Sequence, residues 1–105
     1  MNNGETIKLT ENSYYYSIEE GDFSVSPISP NPLEEFGEFA LILRDSSEVS
    51  IEVFDLMGKR CFYAVESLEF GSHFLSLNTV SWRKGTYFLR IKVGSEFKIS
   101  QFIKI

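Results

Sequence analysis

"KGTYFLRIKVGSEFKISQFIKI", Lys84 to Ile105, decides the fold. Tyr87, Leu89, Ile91 and Val93 share one parity, and beyond Val93-Gly94-Ser95-Glu96 so do Phe97, Ile99, Ile103 and Ile105. Side chains two apart lie on one face of a β-strand. Each set is therefore expected to face a common core, with Arg90, Lys92, Lys98 and Lys104 facing outward. Gly94-Ser95 reads as a two-residue connection between the two strands.

The same alternation continues upstream. Phe39, Leu41 and Leu43 form one set, Val49, Ile51 and Val53 a second with Glu52 facing outward, and Leu75 and Leu77 a third. These five strands are joined by a sixth near Arg60 to Val65 and a seventh around Phe23 to Ser26. In Asp55-Leu56-Met57-Gly58 the aspartate suits the first position of a type I turn, and the glycine suits the left-handed residue of a G1 bulge. Short strands at this spacing, with no helical period, predict an all-β fold: an immunoglobulin-like antiparallel β-sandwich of about seven strands.

Composition agrees. The chain has 105 residues, 43% of them hydrophobic and 15% aromatic, with ten Phe and five Tyr. That suits strands and is too apolar for disorder. A chain of this size is one domain at most and buries roughly 65% of its unfolded surface.

Two segments precede the regular alternation. Residues 1–22 read as a linker or the edge of a preceding domain: Thr6 to Thr10 and Ser13 to Ile18 suit short strands, and Glu19-Glu20-Gly21-Asp22 a solvated break. Residues 23–105 form the domain proper. Near its start lies "SPISPNP", Ser26 to Pro32, whose three prolines lack amide donors and force Ser26, Ser29 and Asn31 to be extended. It cannot be a central strand and is expected to be a stiff, edge-like lead-in.

Charge is unevenly spread. Residues 83–105 carry six basic side chains (Arg83, Lys84, Arg90, Lys92, Lys98, Lys104) against one acid (Glu96), within a chain of formal net charge −5. The acidic body argues against nucleic acid, which needs a broad basic face. The apolar runs are too short and too often broken by charge to span a bilayer. Met1 to Glu5 has neither the basic nor the apolar part of a signal peptide. Either the protein stays in the cytosol, or this is a fragment with an added start methionine whose export signal lies elsewhere.

The chemistry-bearing residues are few. His73 is the only histidine and Cys61 the only cysteine, so a His-rich or Cys-His zinc site lacks ligands. His73 beside Ser72 would need a third residue to act as a base, and strand neighbours point to opposite faces. Glu34-Glu35 and Glu19-Glu20 read as solvated charge rather than acid/base or calcium pairs. Cys61 reads as a small buried or half-buried thiol. Trp82 with Tyr14, Tyr15 and Tyr16 could form a sugar-stacking platform, although such a Trp more often plugs the open end of a sandwich. With no phosphate loop, dinucleotide fingerprint or triad, neither an enzyme nor a cofactor is expected.

The order of signals is distinctive: Pro30-Asn31-Pro32, then Ile51 to Lys59 with Asp55 and Gly58, then Gly71 opening a strand, then Gly85-Thr86-Tyr87-Phe88-Leu89-Arg90-Ile91, then a lysine-bearing terminal strand. Over about residues 23–105 the chain resembles the type A C-terminal sorting domain of proteins exported by the type IX secretion system of Bacteroidota. The resemblance implies an address and not a catalyst. An N-terminal cargo enters the periplasm, an outer-membrane translocon recognises the sorting domain, and a sortase-like protease often removes it and joins the cargo to surface lipopolysaccharide.

By position, Gly85 and Tyr87 correspond to the family's Gly-x-Tyr element, and Lys98 to Ile105 to its basic terminal strand. The resemblance thus implies recognition through Gly85, Tyr87, Lys98, Lys104 and Ile105. A receptor could add a strand to the terminal edge or offer carboxylates to Lys98 and Lys104. A structural part for Gly85 and Tyr87 is the stronger expectation: a relieved turn, and a buried ring whose hydroxyl bonds a loop. Pro30, Asn31, Pro32, Asp55, Gly58 and Gly71 are expected to be mainly structural. Any processing cut would fall upstream of Phe23. The chain departs from the family in carrying Trp82-Arg83-Lys84 before Gly85, where Leu-Pro is usual, and in the acidity of "LEEFGEFAL" after Pro32. The alternative is an accessory adhesion or carbohydrate-binding sandwich, favoured by an exposed Trp82 in a groove.

Overall fold

The computed structural model describes residues 7–8, 15–16 and 23–105. β1 (Ile7–Lys8) pairs antiparallel with β2 (Tyr15–Tyr16), Ile7 opposite Tyr16. Tyr14 and the acidic stretch Glu19 to Asp22 lie outside the described residues.

Seven strands make two antiparallel sheets. β3 (Phe23–Val25), β4 (Phe36–Leu43) and β7 (Gly71–Asn78) form one, in the order β3-β4-β7. β5 (Ser47–Asp55), β6 (Arg60–Leu68), β8 (Gly85–Val93) and β9 (Glu96–Lys104) form the other, in the order β6-β5-β8-β9. The sandwich expected from the alternation is what forms, with all seven strands where they were predicted. Phe39, Leu41 and Leu43 face Val49, Ile51, Val53, Leu89, Ile91 and Val93 across the core. Leu41 and Val53 are completely buried, and such a side chain contributes about 1.5–3 kcal/mol over its exposed state.

The lead-in closes one side of the sandwich. Ser26 N–H donates to Ala40 O at 2.9 Å, and Ser26 Oγ accepts from Ala40 N–H at 2.8 Å. Ser29 and Glu38 then exchange two backbone bonds of 2.9 Å. Past Pro30 the chain leaves β4 and crosses to β9, where Leu33 makes a parallel bridge to Lys104. Ile28 and Leu33 fill the gap between the sheets, 3% and 0% exposed. Gly37 makes room for them: a Cβ there would lie 2.8 Å from Leu33 Cδ2 and 2.9 Å from Ile28 Cγ2.

β9 corrects the sequence reading. Phe97, Ile99, Ile103 and Ile105 point outward and are exposed, while Phe102 (1%) and Lys104 (7%) are buried. The cause is the hairpin. With two residues in the turn, Val93 pairs with Glu96 and Tyr87 with Phe102. Residues directly opposite in an antiparallel pair share a face. An inward odd set in β8 therefore forces an inward even set in β9, and a short hairpin sets the register.

Candidate functional site

The sequence motifs, spread over 75 residues of chain, mostly meet at one end of the sandwich. Asp55 pairs with Tyr87, Tyr87 with Phe102, and Gly85 with Lys104. This end therefore holds the β5–β6 turn, the start of β8 and the finish of β9. The lead-in completes it. Leu33 N–H donates to Ile103 O at 2.8 Å, Ile105 N–H donates to Leu33 O at 2.9 Å, and Ile103 N–H donates to Asn31 Oδ1 at 2.9 Å. Three bonds thus fasten the last three residues, which would otherwise fray as an edge. Pro30, Pro32, Glu34, Phe36 and Ile105 line an open hollow beside them.

Lys104 does not face outward as expected. Its Cβ lies on the inner face, and its ammonium donates to the backbone oxygens of Glu34 and Ile105. A buried cation without hydrogen-bond partners would be costly; here carbonyl oxygens supply them, and Lys104 ties β9 to the lead-in. No receptor carboxylate can reach it without displacing those contacts.

Tyr87 is buried, and its hydroxyl donates to Arg83 O at 2.6 Å. Its ring stacks on Phe102, 5.6 Å between centroids, and meets Trp82 at 5.1 Å. Desolvation of the phenol, with the Cys61 and Asp55 charges nearby, pushes its pKa above the ordinary tyrosine value. The loop that Tyr87 anchors is fixed at its other end by Thr79, whose N–H and hydroxyl both donate to Glu35 O, at 2.8 and 3.0 Å.

The Asp55 turn forms as read. Gly58 N–H donates to Asp55 O at 3.0 Å, and Asp55 Oδ1 accepts from Met57 and Lys59 N–H, both at 2.9 Å. Gly58 has φ 87°, where a side chain costs about 1 kcal/mol or more. Gly71 and Lys98 lie away from this end. Gly71 pairs with Leu43 at the opposite end of the sandwich, and Lys98, near the start of β9, pairs with the core residue Ile91 and so points inward rather than outward as expected.

A second cluster occupies the outer face of the four-stranded sheet. Glu52 accepts from Arg60 Nη1 at 3.0 Å and from Arg90 Nη2 at 2.8 Å. Burial alone would raise its pKa, but the two guanidinium contacts outweigh that and hold the carboxyl below the ordinary glutamate value. Glu52 thus faces outward as predicted yet is 7% exposed, because the arginines cover it. Arg90 also lies over Phe54 and Phe97, and Arg60 over Tyr63.

The remaining candidates are not brought together. His73 Nε2 lies 2.7 Å from Glu69 O, not against Ser72. Cys61 is exposed rather than buried, because it is the extra residue of the bulge where β5 pairs Val53 with Phe62 and Phe54 with Arg60. Partial desolvation, then the Asp55 charge, raises its pKa, which makes it a poor nucleophile. Trp82 is half-buried against the core and plugs the end of the sandwich. Among the described residues no cluster of three His, Cys, Asp or Glu side chains could hold a metal, and no helix is long and apolar enough to cross a membrane.

Sequence reading missed three contributors: the Asn31 side chain as an acceptor, Leu33 as the residue that locks β9, and Gly37 as the space for it. The Pro-Asn-Pro run signalled the first two only as a rigid lead-in.

No curated protein matches the chain. The family of secretion system C-terminal sorting domains matches it over residues 27–105, the stretch that contains the lead-in from Pro27, the Asp55–Gly58 and Gly94–Ser95 turns and the fastened terminal strand. That family is one of sorting signals and not of enzymes, and it implies export of an N-terminally attached cargo to the surface or medium. The chain belongs to the secretion system C-terminal sorting domain family, the C-terminal signal for type IX secretion.

Proposed function

We propose that this domain is read in its folded form, by an outer-membrane translocon that receives it from the periplasm with the cargo attached upstream of Phe23. A sortase-like protease then acts on the segment upstream of Phe23 where the cargo is to be anchored. The observation that carries this reading is the fastening of Ile103 and Ile105 to Asn31 and Leu33. It makes the terminal strand part of a rigid end rather than a loose tail. Gly85 and Ile105 are exposed there and available for contact, whereas Tyr87 and Lys104 are buried and act by holding the shape.

The test is a periplasm-directed fluorescent protein fused to residues 1–105, beside a twin lacking residues 98–105, in a bacterium with a working type IX system. The reading expects the first at the surface or in the medium and the second retained. Retention of both overturns it. Binding of glycans at Trp82 is disfavoured by the packing of that ring on Tyr87.

A further inference from the structure

Between its turn and its fastened end, β9 has an edge that no other described strand pairs. Ile103 and Ile105 direct N–H and C=O groups away from β8, toward Asn31 and Leu33. Residues two apart repeat that direction, so Phe97, Ile99 and Gln101 present theirs the same way. Among the described residues nothing meets them.

The side chains around this edge are unlike those of a strand that is only protected from stray pairing. Its outer face carries Phe97 (52% exposed), Ile99 (56%), Gln101 and Ile103 (41%), with no charge among them. Arg90 holds Phe97 in place from β8, 5.4 Å from the ring centroid. The cation is underneath. Lys98 points inward and is half-buried, its ammonium 5.1 Å from the centroid of the Phe23 ring, and among the described residues no carboxylate pairs with it.

A charge just inside such an edge, with no carboxylate partner among the described residues, selects what can add there. A strand without a complementary group would trap Lys98 without a partner, which is costly, and such a penalty against the wrong partner is how specificity arises. A strand bearing an acidic side chain at the facing inward position would pair it, while its main chain takes up the free N–H and C=O groups. A second copy fits poorly. Antiparallel pairing of two β9 strands centred on Ile99 would set Ser100 of each copy opposite Lys98 of the other, leaving both ammonium groups unpaired, and the register centred on Phe97, which sets Glu96 opposite Lys98, overlaps only residues 96–98 of the two strands.

The geometry points to the β9 edge from Phe97 to Gln101 as an acceptor for an extended segment of the export machinery, with an acidic residue directed at Lys98 and apolar residues against Phe97 and Ile99. Five residues span about 17 Å, so the segment is short. This inference rests on the sorting function proposed above and adds to it the position, length and charge of the contact.

The experiment uses the reporter fused to residues 1–105 and three variants of it. Ile99→Pro removes one outward N–H that β8 does not use, Lys98→Glu reverses the charge, and Lys98→Arg keeps it. The expected result is an exported fraction below one-tenth of the parent's for Ile99→Pro and Lys98→Glu, with Lys98→Arg retaining at least half. Ile99→Pro and Lys98→Glu domains that are folded by circular dichroism and exported like the parent overturn the inference and leave the sorting function standing. A parent that stays inside overturns both.

A photocrosslinking phenylalanine analogue at position 97, in an otherwise unchanged domain, tests the contact without a folding risk. An adduct with a different protein that Lys98→Glu abolishes supports the inference. An adduct of twice the chain's mass, a crosslink within the chain, or no adduct in exporting cells overturns it.

Discussion

The backbone N–H of Ile103 donates to the side-chain oxygen of Asn31 at 2.9 Å, joining residues 72 positions apart. Asn31→Ala leaves that N–H to solvent and is expected to cost about 1 kcal/mol, or roughly 4–8 °C in melting temperature for a domain of this size. Asn31→Asp keeps the acceptor and should lose less. The local readout is hydrogen exchange: the Ile103 amide should exchange at least several-fold faster in Asn31→Ala, with the Leu89 amide slowed or hastened only as global stability requires.

Gly37→Ala tests the packing of the lead-in. The added methyl meets Leu33 and Ile28 at under 3 Å, and both side chains are hemmed in by the core. Overpacking of this kind costs about 1–3 kcal/mol. Thermal unfolding should register the loss. Gly37→Ala combined with Leu33→Val, which trims the nearer side chain, should recover part of it.

Glu52→Gln removes the charge shared by Arg60 and Arg90. The loss of two charge-assisted bonds at a covered site is expected to cost about 2–3 kcal/mol at neutral pH. The pH dependence has a definite sign. A carboxyl whose folded pKa is depressed adds stability above its unfolded pKa of about 4.3, and that stability is lost as pH falls through the lower folded value. Acid titration of stability should therefore be shallower in Glu52→Gln than in the parent.

Tyr87→Phe keeps the ring against Phe102 and removes the bond to Arg83 O, an expected cost of about 1 kcal/mol. Here the sign is opposite. The folded pKa is raised, so the contribution is complete below the unfolded value of about 10 and lost as pH rises through the folded one. The alkaline fall in stability should be less steep in Tyr87→Phe, and a denaturant midpoint followed from pH 8 to 11 measures it.

Much of this was legible in the sequence, and the failures have a common cause. Five strands were visible because their apolar parity sets define a buried face, whereas β6, which has no fully buried residue, and the three-residue β3 were placed without such a set. The Asp55–Gly58 and Gly94–Ser95 turns were visible because their residue types are demanded by backbone geometry. The facing of β9 was misread because Phe97, Ile99 and Ile103 are as apolar as the true core set, and only the even spacing imposed by the two-residue turn identifies Phe102 as the inward residue. Lys98 and Lys104 were misplaced for the same reason. Leu33 and Gly37 stayed hidden because their roles depend on a crossing between sheets, a contact that no local pattern records.

The measurement that tests the central claim most directly is the exported fraction of the reporter fused to residues 1–105, compared with its Leu33→Asp variant. Leu33 is completely buried, and an unpaired carboxylate there detaches the lead-in from β9 while leaving every residue from Gly85 to Ile105 unchanged. The folded-address account predicts the parent outside the cell and the variant held in the periplasm. Export of Leu33→Asp at the parent's level would contradict it, since the terminal sequence alone would then be the signal.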